Sequence, residues 1–157
     1  MITLFHGSNM DFPEISLGKC LPYKDFGQGF YLTPSYKRAQ KRALDKVYKE
    51  NNGVPVVQKY EFNEESASTL KVLKFDLCDE QWLNFILDCR NIHNKKFHTY
   101  DIVIGPVADD GVITSISLYL SKVITKTELL NRIKAATPYI QYAFCTERAI
   151  KNLTRTY

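Results

Sequence analysis

Short β-prone runs and helical segments are interleaved along this chain without a regular strand-helix-strand alternation, and that irregular order is what most restricts its fold. A doubly wound parallel sheet needs the alternation, so the class is α+β. An apolar run at residues 2–5 ends at His6-Gly7-Ser8, which predicts a first strand carrying a histidine at its end. Gly27-Gln28-Gly29 leads into Phe30-Tyr31-Leu32-Thr33, a second short strand stopped by Pro34. From Ser35, the residues Tyr36, Ala39, Ala43, Leu44 and Val47 recur at helical spacing, and Asn51-Asn52-Gly53 ends that helix.

Residues 56–62 and 70–75 predict two more strands. The stretch from Asp76 to Asp79 can cap a helix whose apolar face holds Trp82, Leu83, Ile86 and Cys89. A strand at 100–104 is closed by Gly105-Pro106, and a helix through Leu118 follows the turn Asp109-Asp110-Gly111. Thr125-Lys126-Thr127-Glu128 has the capping-box pattern in front of Leu129, Leu130 and Ile133. Residues 139–145 predict the last strand, and Thr146 starts a short C-terminal helix through Leu153. No repeat, linker or low-complexity segment divides the chain, so residues 1–157 read as one domain.

Several chemistries are excluded by what the chain lacks. The formal charge of +4 tolerates a polyanionic partner without demanding one. Cys20, Cys78, Cys89 and Cys145 show no C-x-x-C spacing, which predicts free, partly buried thiols. His93 and His98 do not share a helical face and have no carboxylate cluster beside them, so no metal site is predicted. Pairing Cys89 with His93, or Cys145 with any histidine, would make a thiol nucleophile, but nothing local marks a lowered thiol pKa. Leu32 stands where a dinucleotide fingerprint needs its third glycine, and no G-x-x-x-x-G-K-S/T loop occurs. The N-terminus has neither the basic nor the long apolar region of a secretory signal, and no apolar stretch approaches bilayer length. A reducing cytoplasm and no membrane partner are the expectation.

Three segments remain: Phe5-His6-Gly7-Ser8, the run from Gly27 to Thr33, and Ile140-Gln141-Tyr142-Ala143-Phe144. In this order they resemble the H-G-S/T, G-x-G-I/F-Y-F/L and E-Y-x-V/F-like strands of the ADP-ribosyltransferase superfamily, in the branch of diphtheria toxin and the poly(ADP-ribose) polymerases. Over nearly its whole length the chain is similar to the bacterial family known as domain of unknown function 3990 (DUF3990), which is assigned to that superfamily. The phrases that carry this are Phe5-His6-Gly7-Ser8-Asn9, Asp25-Phe26-Gly27-Gln28-Gly29-Phe30-Tyr31-Leu32-Thr33, Tyr100-Asp101-Ile102-Val103-Ile104-Gly105-Pro106-Val107-Ala108 and Gln141-Tyr142-Ala143-Phe144-Cys145-Thr146-Glu147.

The resemblance implies a split β-sheet core with flanking helices that grips nicotinamide adenine dinucleotide (NAD) between two small, mostly antiparallel sheets. It implies an NAD-dependent mono-ADP-ribosyltransferase acting on a protein or nucleic acid, without a metal. His6, Tyr31 and Gln141 form the implied catalytic trio. His6 would bond ribose hydroxyls, the Gly7 main chain would pair with the nicotinamide carboxamide, and Ser8 would add a hydroxyl bond. Tyr31 would bracket the nicotinamide, while Gly27 and Gly29 let the preceding loop turn against it. Taken singly, these residues have plainer readings as a core histidine, turn glycines and a sheet tyrosine.

Gln141 departs from the pattern, because a glutamate usually stands there. A carboxylate bonds the ribose 2′-hydroxyl and stabilises the developing sugar cation, whereas a glutamine keeps the hydrogen bond and supplies no charge. A single ADP-ribose transfer is the most this implies. Residues 39–43 offer no second stacking aromatic, leaving Tyr36 or Phe26 as substitutes, and Arg42 faces either the pyrophosphate or solvent. Glu147 is expected to face solvent. The resemblance also implies a toxin-like component of a bacterial conflict system, paired with an antitoxin protein. The alternative is a non-catalytic NAD or ADP-ribose binding module, or an interaction domain with a degenerate site.

Overall fold

The computed structural model describes residues 1–135 and 139–157. In chain order the elements are β1 (Ile2–Ser8), β2 (Phe30–Leu32), α1 (Tyr36–Glu50), β3 (Val56–Phe62), β4 (Val72–Lys74), α2 (Glu80–Arg90), β5 (Ile102–Pro106), α3 (Asp110–Leu120), α4 (Lys126–Lys134), β6 (Ile140–Phe144), α5 (Glu147–Ile150) and β7 (Leu153–Thr156). The helices begin where short polar side chains satisfy their first amides. Ser35, Asp79 and Thr125 accept from the backbone N–H of Arg38, Trp82 and Glu128 at the starts of α1, α2 and α4. α1 ends where Asn51 takes a left-handed conformation (φ 47°).

The strands form two sheets rather than one. The first is antiparallel in the order β1-β3-β7. The second runs β2-β6-β5-β4, with only β4 and β5 parallel. This mixed α+β arrangement agrees with the irregular element order of the sequence. One apolar core fills the space between the sheets, with Leu4, Tyr60 and Phe62 from the first meeting Phe30, Ile102 and Phe144 from the second. A second core lies between the other face of the second sheet and helices α2, α3 and α4, around Trp82, Ile86, Val103 and Leu129. The two sheets meet along their backbones at one bridge, where Phe5 and Thr33 exchange hydrogen bonds of 2.8 and 3.0 Å.

The C-terminus differs from the sequence expectation. The helix capped by Thr146 closes after Ile150, and Leu153 to Thr156 then forms β7, so residues 139–145 do not make the last strand. β3 has an edge left open by β1, and the β-branched, alternating Leu153-Thr154-Arg155-Thr156 completes it. Two other boundaries move. The strand expected at 100–104 runs from Ile102 to Pro106, and that expected at 70–75 shrinks to Val72–Lys74. Asp101 is taken out of the strand by a clip. Its buried carboxylate accepts from Arg148, from the Thr146 hydroxyl at 2.6 Å and from the Lys71 amide at 2.7 Å, which holds its carboxyl far below the usual range. Among the described residues no helix is long and apolar enough to cross a membrane.

α1 packs on β1 so closely that a Cβ added to Gly7 would stand 1.9 Å from the Ala39 carbonyl oxygen. The glycine is therefore required by helix packing. Gly7→Ala is expected to lower unfolding free energy by an amount near the upper end of the roughly 1–3 kcal/mol typical of overpacking. Gly18→Ala, where a Cβ meets nothing within 4 Å, should change it by less than about 0.5 kcal/mol. Urea denaturation of the two variants checks the contrast.

Candidate functional site

Beyond the Phe5–Thr33 bridge, no further backbone bond joins β1 to β2 among the described residues, and the His6 side chain reaches β2 there instead. Its Nδ1 is 2.9 Å from the Tyr31 carbonyl oxygen. A carbonyl only accepts, so Nδ1 carries the proton and Nε2 is left as a bare acceptor. The imidazole rests against Phe30, with ring centroids 4.4 Å apart, and against the edge of Phe12. Phe12 is held there by Gln58 on β3 and Arg155 on β7, which donate to its carbonyl oxygen at 2.8 and 2.6 Å. Burial lowers the His6 pKa to about 4, and the charges of Lys46 and Arg42 push the same way against the bond to Tyr31. The histidine is neutral at pH 7.

The main chain of Gly7 follows the same bridge. Phe5 turns its N–H and C=O toward Thr33 rather than toward β3. Because the backbone alternates with a period of two, Gly7 turns its own N–H and C=O to that same edge, where among the described residues no backbone bond to β2 follows the bridge. Ser8 is buried at the end of β1, on the His6 face of the strand.

Tyr31 points to the opposite face. Its hydroxyl donates to the Gly27 carbonyl at 2.7 Å and accepts from the Phe26 amide at 2.9 Å, and its ring stacks on Phe26. Burial raises its pKa, so the phenol acts as a neutral strut for residues 25–29. Gly27 turns that loop with a φ of 81°, and Gly29 lies tight against β6, where a Cβ would sit 3.0 Å from the Phe144 carbonyl oxygen. Of the two candidate second aromatics, Phe26 is fully buried beneath Tyr31, while Tyr36 stands edge-on to Phe5 at the start of α1 and is half exposed.

Gln141 lies on β6, on the same face as Ala143 and hence as Tyr31, which is paired with Ala143. Its Nε2 donates to Asp25 Oδ2 at 3.0 Å. Asp25 is only 7% exposed and also accepts from Arg90 Nε at 2.9 Å and from the Ala108 amide at 3.0 Å. The sequence reading missed this aspartate as a site residue. Its partners stand 65, 83 and 116 positions away, so nothing local distinguishes it from a turn residue. Thus Tyr31 and Gln141 converge on the 25–27 segment, and His6 joins them through the Tyr31 backbone rather than by side-chain contact.

Across residues 2–154 the chain matches the family model described as "Protein of unknown function (DUF3990)". The chain belongs to the DUF3990 family. No curated protein and no solved structure matches it. The matched span contains His6, Gly7, Ser8, Gly29, Tyr31 and Gln141, and with them Asp25.

In this DUF3990 chain, the charges of Arg42 and Lys46 act on both His6 and Lys24. Burial, followed by the nearby charges of Arg42 and Arg90, lowers the Lys24 pKa, and Lys46 adds to the effect while Asp25 alone opposes it. A cavity of about 660 Å³ lies elsewhere, beyond the 25–29 loop, where Gly27, Gln28, Phe85, His98 and Cys145 line it. None of His6, Tyr31 and Gln141 lines that cavity. His98 is used structurally, donating from Nε2 to the Phe26 carbonyl at 2.7 Å and accepting at Nδ1 from the Tyr100 amide. All four cysteines are free and partly buried. Burial pushes Cys89 and Cys145 up to about 12, the reverse of an activated thiol nucleophile. Among the described residues, no three His, Cys, Asp or Glu side chains are grouped as metal ligands would be. Glu147 is exposed at the start of α5.

A histidine whose pKa is lowered on folding contributes stability that is complete above its unfolded value of 6.5 and is lost as pH falls toward about 4. At 1.36 kcal/mol per unit, the His6 contribution to this loss is about 3 kcal/mol. Urea midpoints measured between pH 4 and 8 should therefore fall more steeply for the wild type than for His6→Gln. Parallel curves would contradict the assignment.

Proposed function

We propose that this protein is an NAD-dependent mono-ADP-ribosyltransferase that modifies a macromolecular acceptor, a protein or a nucleic acid. The observation that carries the reading is the end of the β1–β2 bridge, where a neutral His6 leaves Nε2 as an acceptor beside the Gly7 main chain, which has no backbone bond to β2 among the described residues. A primary carboxamide offers both a donor and an acceptor, and the Gly7 C=O and N–H complement them in the extended geometry of a strand edge. His6 Nε2 is suited to accept from a ribose hydroxyl. Lys24, Arg42 and Lys46 suit the diphosphate that joins the two halves of NAD. Two small sheets joined at one bridge also support the resemblance to the ADP-ribosyltransferase superfamily.

In the transfer, the bond from ribose C1′ to the nicotinamide nitrogen breaks, and its electron pair leaves with nicotinamide. A nucleophile on the acceptor forms the new bond to C1′ and gives up its proton to solvent. The protein's contribution is to hold the carboxamide and the ribose and to stabilise the positive charge that builds on the sugar. Such a task needs positioned hydrogen bonds and few ionisable groups. The glutamine at position 141 favours a second reading, a module that binds NAD or ADP-ribose without turnover.

Incubation with NAD and candidate acceptors should release nicotinamide and yield an adduct that raises the acceptor mass by one ADP-ribose unit. His6→Ala is expected to slow release by about 100-fold or more, the scale of a lost transition-state contact. NAD binding by calorimetry with no release under any condition would overturn the enzyme reading in favour of the module.

A further inference from the structure

We infer that Asp25 supplies the negative charge that position 141 lacks, acting through the Gln141 amide as a positioning and polarising residue. The inference rests on the transferase reading. It begins with the geometry of the pair. A carboxylate offers only acceptors, so the contact of 3.0 Å between Asp25 Oδ2 and Gln141 fixes the amide with its NH₂ toward Asp25. The amide oxygen Oε1 is thereby aimed away from the carboxylate, and among the described residues it receives no hydrogen bond. Donation from an amide N–H to an anion shifts electron density toward the amide oxygen, more so where solvent is excluded. Gln141 Oε1 is then a stronger acceptor than a solvated glutamine would present.

The surroundings fix the position of the carboxylate. Asp25 is buried at 7% exposure, and the Ala108 amide shares Oδ2 with Gln141 while Arg90 binds Oδ1. Arg90 sits on the far oxygen and is 35% exposed, so solvent screens part of its counter-charge. The charge that a glutamate would carry at position 141 is thus displaced by one hydrogen bond onto position 25. A loop clip alone would need the hydrogen bonds and not the charge, and the two roles separate experimentally.

The test compares wild type, Asp25→Asn, Gln141→Glu and the double variant Asp25→Asn/Gln141→Glu for nicotinamide release, with kcat and KM for NAD and a melting curve for each. Asp25→Asn should lower kcat by about 10- to 100-fold with KM changed less than about threefold, as befits a group acting on the transition state. Gln141→Glu alone sets two carboxylates side by side, so it should also be slow, and its kcat should gain a pH dependence that the wild type lacks. The double variant moves the charge to 141 and keeps a hydrogen bond between the two positions, although the NH₂ turned to 141 no longer accepts from Ala108, so kcat should return to within about tenfold of wild type. If Asp25→Asn loses its melting transition, the double variant and Gln141→Glu decide the matter by the same criteria. Wild-type kcat in Asp25→Asn, or a folded double variant still more than about tenfold slow, would overturn the inference. Wild-type protein that releases no nicotinamide overturns the transferase reading itself, and this inference with it.

Discussion

The hydrogen bond from His6 Nδ1 to the Tyr31 carbonyl is the contact on which the rest of the site depends. It spans the place where the β1–β2 bridge ends and does there what the next ladder bond would have done. A side chain substitutes for backbone there, so the sheets stay joined while, among the described residues, the Gly7 peptide edge makes no backbone bond to β2. The same bond selects the tautomer. With Nδ1 committed to a carbonyl and the ring buried against Phe30 and Phe12, the imidazole stays neutral and offers one acceptor.

Residues 25–29 form the second support. The Tyr31 hydroxyl holds Phe26 and Gly27, His98 holds the Phe26 carbonyl from the other side, and Asp25 is tied to α2 through Arg90 and to the end of β5 through Ala108. None of these contacts joins the loop to β6, whereas the Gln141 amide, which donates to Asp25, does. Gln141 therefore links the loop to β6. Tyr31 and Gln141 work as a pair through this loop, even though their own polar atoms do not meet.

The local grammar of the chain was readable in advance where local physics decides it. Ser35, Asp79 and Thr125 cap helices because an oxygen at that position satisfies amides within three residues, and the alternation of 56–62 forms a strand because its neighbours in sequence suffice to specify it. The His6-Gly7 strand end and the Gly27 turn belong to the same class. β7 was not readable, because Leu153-Thr154-Arg155-Thr156 becomes a strand only when the open edge of β3, some ninety residues earlier, is available. Asp25 escaped for the same reason. The resemblance marked Gly7 for a close approach of its main chain to a ligand, but the packing that demands a glycine there was not readable: the crowding comes from Ala39 on α1, which the sequence alone does not bring near β1.

The central claim is that a neutral His6 offers Nε2 to the substrate. Nitrogen-15 NMR of the His6 imidazole, recorded at pH 7 during titration with NAD, measures this directly. The account predicts a proton on Nδ1, a bare Nε2, and an Nε2 resonance that shifts saturably as NAD binds. A proton on Nε2, or an Nε2 resonance unmoved at saturating NAD, would contradict it.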